Sequence, residues 1–156
     1  MEQFSIKEVI EQAVQTEKLG YEFYTRMAIR FEENADLKKL FEALAGQELQ
    51  HEKRFSGLKE KEGGEEPEGW DEVTQYLSAI VESEFFLGIG KPLPMLKEVK
   101  TTEEAFNYAL GFEKDTILYY LALRDGVKDK ETVDKIINEE RGHIVWINNF
   151  KRRFVK

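Results

Sequence analysis

Glu48-Leu49-Gln50-His51 and Glu140-Arg141-Gly142-His143 contain both histidines of this chain, and each histidine stands three residues after a glutamate. On an α-helix, positions three apart share a face with side chains about 5–6 Å apart, so a Glu and a His at this spacing grip one metal ion together. Two such pairs hold two ions. Four-helix bundles that carry a dimetal centre add one inward Glu from each of two further helices, six protein ligands in all. Acids make up 31 of the 156 residues, so spacing alone carries little weight. What decides is whether these four residues face inward and whether two lone glutamates complete the set.

Four long stretches carry helical periodicity. The first starts at a capping box, Ser5 with Glu8, and runs to about Phe31 with Ile6, Ile10, Ala13, Val14, Tyr21, Tyr24 and Ala28 on one stripe. Glu17 falls inside that stripe. The second runs from about Asp36 to Leu58, where Leu37, Phe41, Leu44, Glu48, His51, Phe55 and Leu58 alternate by fours and threes as a bundle seam does. The third opens at Thr101 with Glu104 and carries Phe106, Ala109, Leu110, Glu113, Ile117 and Tyr120 before ending near Asp125-Gly126. The fourth, from about Asp129 to Phe154, has Val133, Ile136, Glu140, His143, Ile147, Phe150 and Phe154 in the same alternation.

Six polar residues therefore occupy mid-helix seam positions where a bundle ordinarily buries Leu or Ile: Glu17, Glu48, His51, Glu113, Glu140 and His143. Burying an uncompensated carboxylate costs several kcal/mol, and four together repel one another unless protonated or paired with cations. Two divalent ions neutralise four carboxylates. The six are the expected metal ligands.

An internal repeat supports this. Glu17-Lys18-Leu19-Gly20-Tyr21-Glu22-Phe23-Tyr24 reads against Glu113-Lys114-Asp115-Thr116-Ile117-Leu118-Tyr119-Tyr120, and each copy is followed by a helix bearing Glu-x-x-His. The molecule thus reads as two similar helical hairpins facing each other across a pseudo-two-fold axis. Seven residues is nearly two turns, so Tyr24 and Tyr120 share a face with Glu17 and Glu113. They are candidate catalytic residues that hydrogen-bond ligand carboxylates of the opposite hairpin, with ordinary core tyrosine as the alternative.

Composition excludes much else. A chain of 156 residues with 41% hydrophobic and 35% charged content suits one domain spanning 1–156. No apolar run reaches membrane-spanning length, and Met1-Glu2-Gln3-Phe4-Ser5 lacks the basic and apolar regions of a secretory leader, so the cytoplasm is the expected compartment. Without cysteine there is no disulfide, no thiolate nucleophile and no iron–sulfur site, and any metal is held by oxygen and nitrogen. A net charge of −8 argues against nucleic-acid or anionic-membrane partners. The basic end from Lys151 to Lys156 complements a helix C-terminus instead. There is no P-loop and no Gly-x-Gly-x-x-Gly element.

Over all but its middle connection, the chain resembles the rubrerythrin-like branch of the ferritin-like diiron-carboxylate proteins, without their rubredoxin domain. The resemblance rests on the lone Glu17 and Glu113, the two Glu-x-x-His pairs and the paired tyrosines. It implies an all-α, ferritin-like four-helix bundle and maps Glu17, Glu48, His51, Glu113, Glu140 and His143 to metal ligands, with Tyr24 and Tyr120 behind them. It also implies two iron ions, with manganese or zinc as alternatives, and chemistry with dioxygen or peroxide. Two departures stand out. Thr116 occupies the place where rubrerythrin proper has a further carboxylate, and the cysteine-ligated iron is missing, so electrons come from an external donor protein or from the substrate.

Between the second and third long helices lies a connection of about 40 residues, in keeping with the long crossover of such bundles. Glu60 to Gly69 reads as a solvated loop, and Asp71 to Phe86 as a short amphipathic helix ended by Gly88, Gly90, Pro92 and Pro94. Its apolar positions Val73, Leu77, Ile80, Val81, Phe85 and Phe86 exceed what one bundle edge buries, which marks this region for a homodimer contact. Gly20, Gly46, Gly111 and Gly142 lie within three residues of a proposed ligand and either leave room at the metals or permit close helix packing. The leading expectation is a redox enzyme whose two irons reduce dioxygen or peroxide. The alternatives are a non-enzymatic iron-handling or iron-storage protein, and a structural bundle holding zinc or manganese.

Overall fold

Each long helix begins where the sequence offers a side chain to cap it. In the computed structural model, which describes residues 4–82 and 99–154, five α-helices and no strand occur among the described residues: α1 (Ile6–Arg30), α2 (Ala35–Lys61), α3 (Trp70–Val81), α4 (Thr102–Gly126) and α5 (Lys130–Phe154). The Ser5 hydroxyl accepts from Glu8 N–H while the Glu8 carboxylate accepts from Ser5 N–H, a complete capping box. Asn34 caps α2 by accepting from the Asp36 and Leu37 amides. Thr101 caps α4 through Glu104 N–H, although here the Glu104 carboxylate meets the threonine hydroxyl and not its backbone. Asp129 accepts from Thr132 N–H at the head of α5.

Short connections make α1–α2 and α4–α5 antiparallel hairpins. Cross-bundle contacts fix how the hairpins meet. Tyr24 reaches Glu113 and Tyr120 reaches Glu17, so residue numbers run oppositely and α1 is antiparallel to α4. His51 with Glu140 and Glu48 with His143 set α2 against α5 in the same way. The core divides into two apolar layers. One holds Ile10, Ala13, Phe55, Leu58, Leu123, Val133 and Ile136, the other Phe23, Met27, Leu37, Phe41, Leu44, Phe106 and Ile147. On every long helix the six polar seam residues fall between the two layers, so the polar band is enclosed from both ends.

The crossover helix α3 packs against α4 and starts one residue earlier than its periodicity indicates, because Trp70 belongs to the core. Its ring is buried, its indole N–H donates to the Phe4 carbonyl at 2.8 Å, and it lies over Gly126, where an added Cβ would fall 2.3 Å from the ring. Gly69, with φ of 79°, supplies the left-handed turn that admits it. Leu77 and Ile80 are buried and Val73 and Val81 are half-buried in the same layer. The apolar face read as a dimer contact is thus largely spent on the molecule's own core; Phe85, Phe86 and the Gly88-to-Pro94 stop signals lie outside the described residues. Within the expected solvated loop, Glu62 is buried and accepts from the Lys128 and Asp129 amides, tying the end of α2 to the start of α5. Tyr21 departs from the α1 stripe: it is 40% exposed, because the stripe that faces α2 and α4 turns past it to Gly20 and Tyr24. Of the glycines near the polar band, Gly46 and Gly142 face open space, so they leave no room at the site. Gly20 differs, since a Cβ there would stand 3.0 Å from Phe112 and 3.3 Å from the Glu48 carboxylate carbon.

Candidate metal centre

Glu17 on α1, Glu48 and His51 on α2, Glu113 on α4 and Glu140 and His143 on α5 all converge in the middle of the bundle. The four glutamates and His51 have no solvent exposure and His143 has 5%. They form two overlapping groups: Glu17, Glu48, His51 and Glu140 in one, Glu48, Glu113, Glu140 and His143 in the other, with the ligating atoms of each group within 4.8 Å of one another. Ligands at about 2.1 Å from a single ion are separated by at most about 4.2 Å, so small side-chain adjustments close either group around a cation. Glu48 and Glu140 belong to both groups. The two imidazole rings stack at 5.8 Å with their planes 21° apart.

Hydrogen bonds hold this arrangement from outside. Tyr24 donates to Glu113 Oε1 at 2.6 Å and Tyr120 to Glu17 Oε1 at 2.5 Å, each tyrosine gripping a carboxylate of the opposite hairpin. Burial and the adjacent carboxylates hold both phenols well above the ordinary tyrosine range, so they remain protonated donors. His51 turns Nδ1 to Glu140 at 2.7 Å and Nε2 to Glu139 at 2.7 Å, and the same Glu139 oxygen accepts from Arg54 at 2.7 Å. Glu139 went unmarked in the sequence, since an acid beside Glu140 on a charged helix reads as solvated. The available signal was Arg54, one turn beyond His51, which puts a cation beside the imidazole. Thr116 is buried one turn after Glu113, with its hydroxyl lacking a hydrogen-bond partner.

The charges inside the site are in conflict. Burial, reinforced by Glu140, raises the Glu17 and Glu48 carboxyls well above their usual range, and the same causes push Glu113 up to about 8. Burial acts upward on Glu140 too, but hydrogen bonds from Glu113, His143 and His51 outweigh it and hold this carboxylate well below the usual range. For both imidazoles burial acts downward and is overcome by their carboxylate partners, which raise His51 to about 9 and His143 to about 11. Protons are thus the only counter-charge the side chains can supply themselves. Counting only fixed donors, Glu17 Oε2, both oxygens of Glu48 and Glu113 Oε2 are buried without a partner, so a carboxyl proton shared with a neighbouring carboxylate is all that can satisfy them from within the chain. Carboxylate oxygens orphaned toward a common centre, together with two imidazole nitrogens and no sulfur, match a pair of divalent ions of the iron, manganese or zinc type.

Comparison with known proteins agrees with this donor set. The rubrerythrin family profile matches residues 8–87, slightly more than half of the sequence. The chain belongs to the rubrerythrin family. A crystal structure from Thermotoga maritima, of a protein described as a candidate ferritin-like diiron-carboxylate protein, is 28% identical, with each chain covered over 97% of its length and a TM-score of 0.72. No curated protein matches. The fold that the resemblance implied, a ferritin-like bundle with an extra helix in its crossover, is therefore the fold observed. Among the described residues no helix is long and apolar enough to cross a membrane.

Proposed function

We propose that this rubrerythrin-family chain is a diiron redox protein that binds two iron ions in the bundle core and reacts with dioxygen or hydrogen peroxide. The observation that carries the reading is the sharing of Glu48 and Glu140 between both ligand groups, so that Glu17, Glu48, His51 and Glu140 would hold one ion and Glu48, Glu113, Glu140 and His143 its neighbour. Glu17 and His51 close one end; Glu113 and His143 close the other. When bound, two ferrous ions supply the two electrons that, with two protons, take hydrogen peroxide to water. The chain's own residues do the rest. Tyr24 and Tyr120 fix the terminal carboxylates through their hydroxyls and keep those oxygens from rotating away. The apolar layers on both sides exclude bulk water, which strengthens every charge interaction between them. With no cysteine in the chain, re-reduction falls to an external donor.

Anaerobic loading with ferrous iron, followed by elemental analysis and an optical spectrum before and after oxidant, tests the reading. Two irons per chain and a new absorption band on adding peroxide or dioxygen are expected. One iron or none at saturation refutes the shared-carboxylate centre, and two irons inert to both oxidants leave a structural metal site.

A further inference from the structure

We propose that the two ends of the centre are unequal: Glu139, braced by Arg54, positions His51 so that the Glu17/His51 end holds its ion more tightly than the Glu113/His143 end. The inference rests on the dimetal reading above and adds a positioning residue to it. An imidazole that ligates through Nδ1 needs its lone pair there and its proton on Nε2. His51 meets both requirements, with Nδ1 toward the carboxylate cluster and Nε2 at 2.7 Å from Glu139, a carboxylate held in turn by Arg54 at 2.7 Å. Such a partner fixes tautomer and ring orientation and makes the imidazole a stronger donor.

The pseudo-two-fold relation supplies the comparison. Aligning Glu48 and His51 with Glu140 and His143 puts Gln47 in the place of Glu139 and Trp146 in the place of Arg54. Gln47 is exposed and Trp146 is 37% exposed, so neither braces the second imidazole. His143 makes its contacts through Nδ1, to Glu140 at 3.0 Å, Glu113 at 3.5 Å and Glu48 at 3.7 Å, and its Nε2 has no partner among the described residues. Its side chain is 7% exposed where that of His51 is fully covered. One end is locked by a charge pair, while the other meets water.

Cobalt(II), which binds such sites without being oxidised by air on the timescale of a titration, tests this on the full-length chain stripped with chelator. Two steps are expected, the first tighter by about 10–100-fold. Glu139→Ala should weaken the first step by a similar factor and spare the second; Glu139→Gln, which keeps the shape and an uncharged acceptor, should fall between; Gln47→Ala should change neither. Proton NMR of the cobalt-loaded parent should show one shifted imidazole N–H that persists in D2O and one that exchanges at once, and in Glu139→Ala both should exchange. Two equal steps in the parent, or a first step indifferent to both Glu139 variants, overturn the inequality while leaving the dimetal centre standing. Failure to bind cobalt at all overturns the centre itself.

Discussion

Lowering the pH should expel metal from this protein far more steeply than from a surface site, because the ligands carry their own protons when no cation is present. Metal-bound carboxylates and imidazoles are deprotonated, so each ligand that is protonated in the metal-free state gives up one proton on binding. Glu113 at about 8, His51 at about 9 and His143 at about 11 all carry protons below pH 8. Each displaced proton weakens binding tenfold per pH unit, so these three alone lower the overall two-ion binding constant by roughly 1000-fold, about 4 kcal/mol, for each unit below pH 8. Glu17 and Glu48, both raised well above the usual range, steepen the dependence further.

Stability follows the same signs. A carboxyl or imidazole whose folded value is raised contributes stability at low pH and loses it as pH rises through that value, so Glu17, Glu48, Glu113, His51 and His143 all favour the metal-free fold on the acid side. Glu140, held low, contributes above its unfolded value near 4.5 and loses its contribution as pH falls through the depressed one. Metal-free protein should therefore lose stability from about pH 4.5 up to 8, where Glu113 is ionised in the unfolded chain but still protonated in the folded one, and from about 6.5 upward for His51 and His143. Metal binds more tightly over the same range, so the gap in Tm between loaded and chelated protein should widen with pH. Calorimetric titration at pH 7 in buffers of different ionisation enthalpy counts the protons released. Three or more per two ions are expected. Release of fewer than one proton would show that the buried ligands are not protonated in the metal-free state and would refute the reasoning.

Four substitutions test other parts of the structure. Glu113→Gln keeps an acceptor for Tyr24 but removes a buried ionisable group, so in chelator it should match the parent near pH 4.5 and exceed it in Tm increasingly up to pH 8, the span over which the unfolded parent's carboxyl is ionised while the folded one still holds its proton, while losing iron affinity; iron bound as tightly as by the parent would remove Glu113 from the ligand set. Gly126→Ala should lower stability by about 1–3 kcal/mol in urea denaturation through its clash with the Trp70 ring, whereas Gly142→Ala, on an open helix face, should raise it by about 0.5–1 kcal/mol. Thr116→Val exchanges a buried hydroxyl without a partner for a methyl group of similar shape and should be neutral or stabilising by about 1 kcal/mol in the same assay; a clear loss would mean that the hydroxyl is engaged when metal is bound.

Much of the candidate site was legible because its determinants are local. Helix periodicity places Glu17, Glu48, His51, Glu113, Glu140 and His143 on seam positions whatever the bundle's details, and capping residues such as Ser5 and Thr101 mark where that periodicity starts. The repeat of Glu17 and Tyr24 in Glu113 and Tyr120 even indicates which hairpins face each other, and both tyrosines donate across the bundle as that symmetry requires.

Other features depend on the rotation and offset of one helix against another, which periodicity leaves open. Glu48 and Glu140 are shared by both ligand groups because of how α2 and α5 sit against each other, whereas the sequence shows only two equivalent pairs. Glu139 lies at the edge of the buried face, 30% exposed, where a turn of α5 by a few tens of degrees would leave it in solvent; its contact with His51 exists only because α2 presents Nε2 there. Tyr21 falls on the wrong side of a similar edge, and Trp70 becomes an anchor only because Gly126, distant in sequence, leaves space beneath it. The sequence by itself determined which residues occupy the middle of each helix's inward face, since that follows from 3.6 residues per turn; tertiary structure decided on which side the edge positions fall and which inward residues touch, since that follows from how the helices pack.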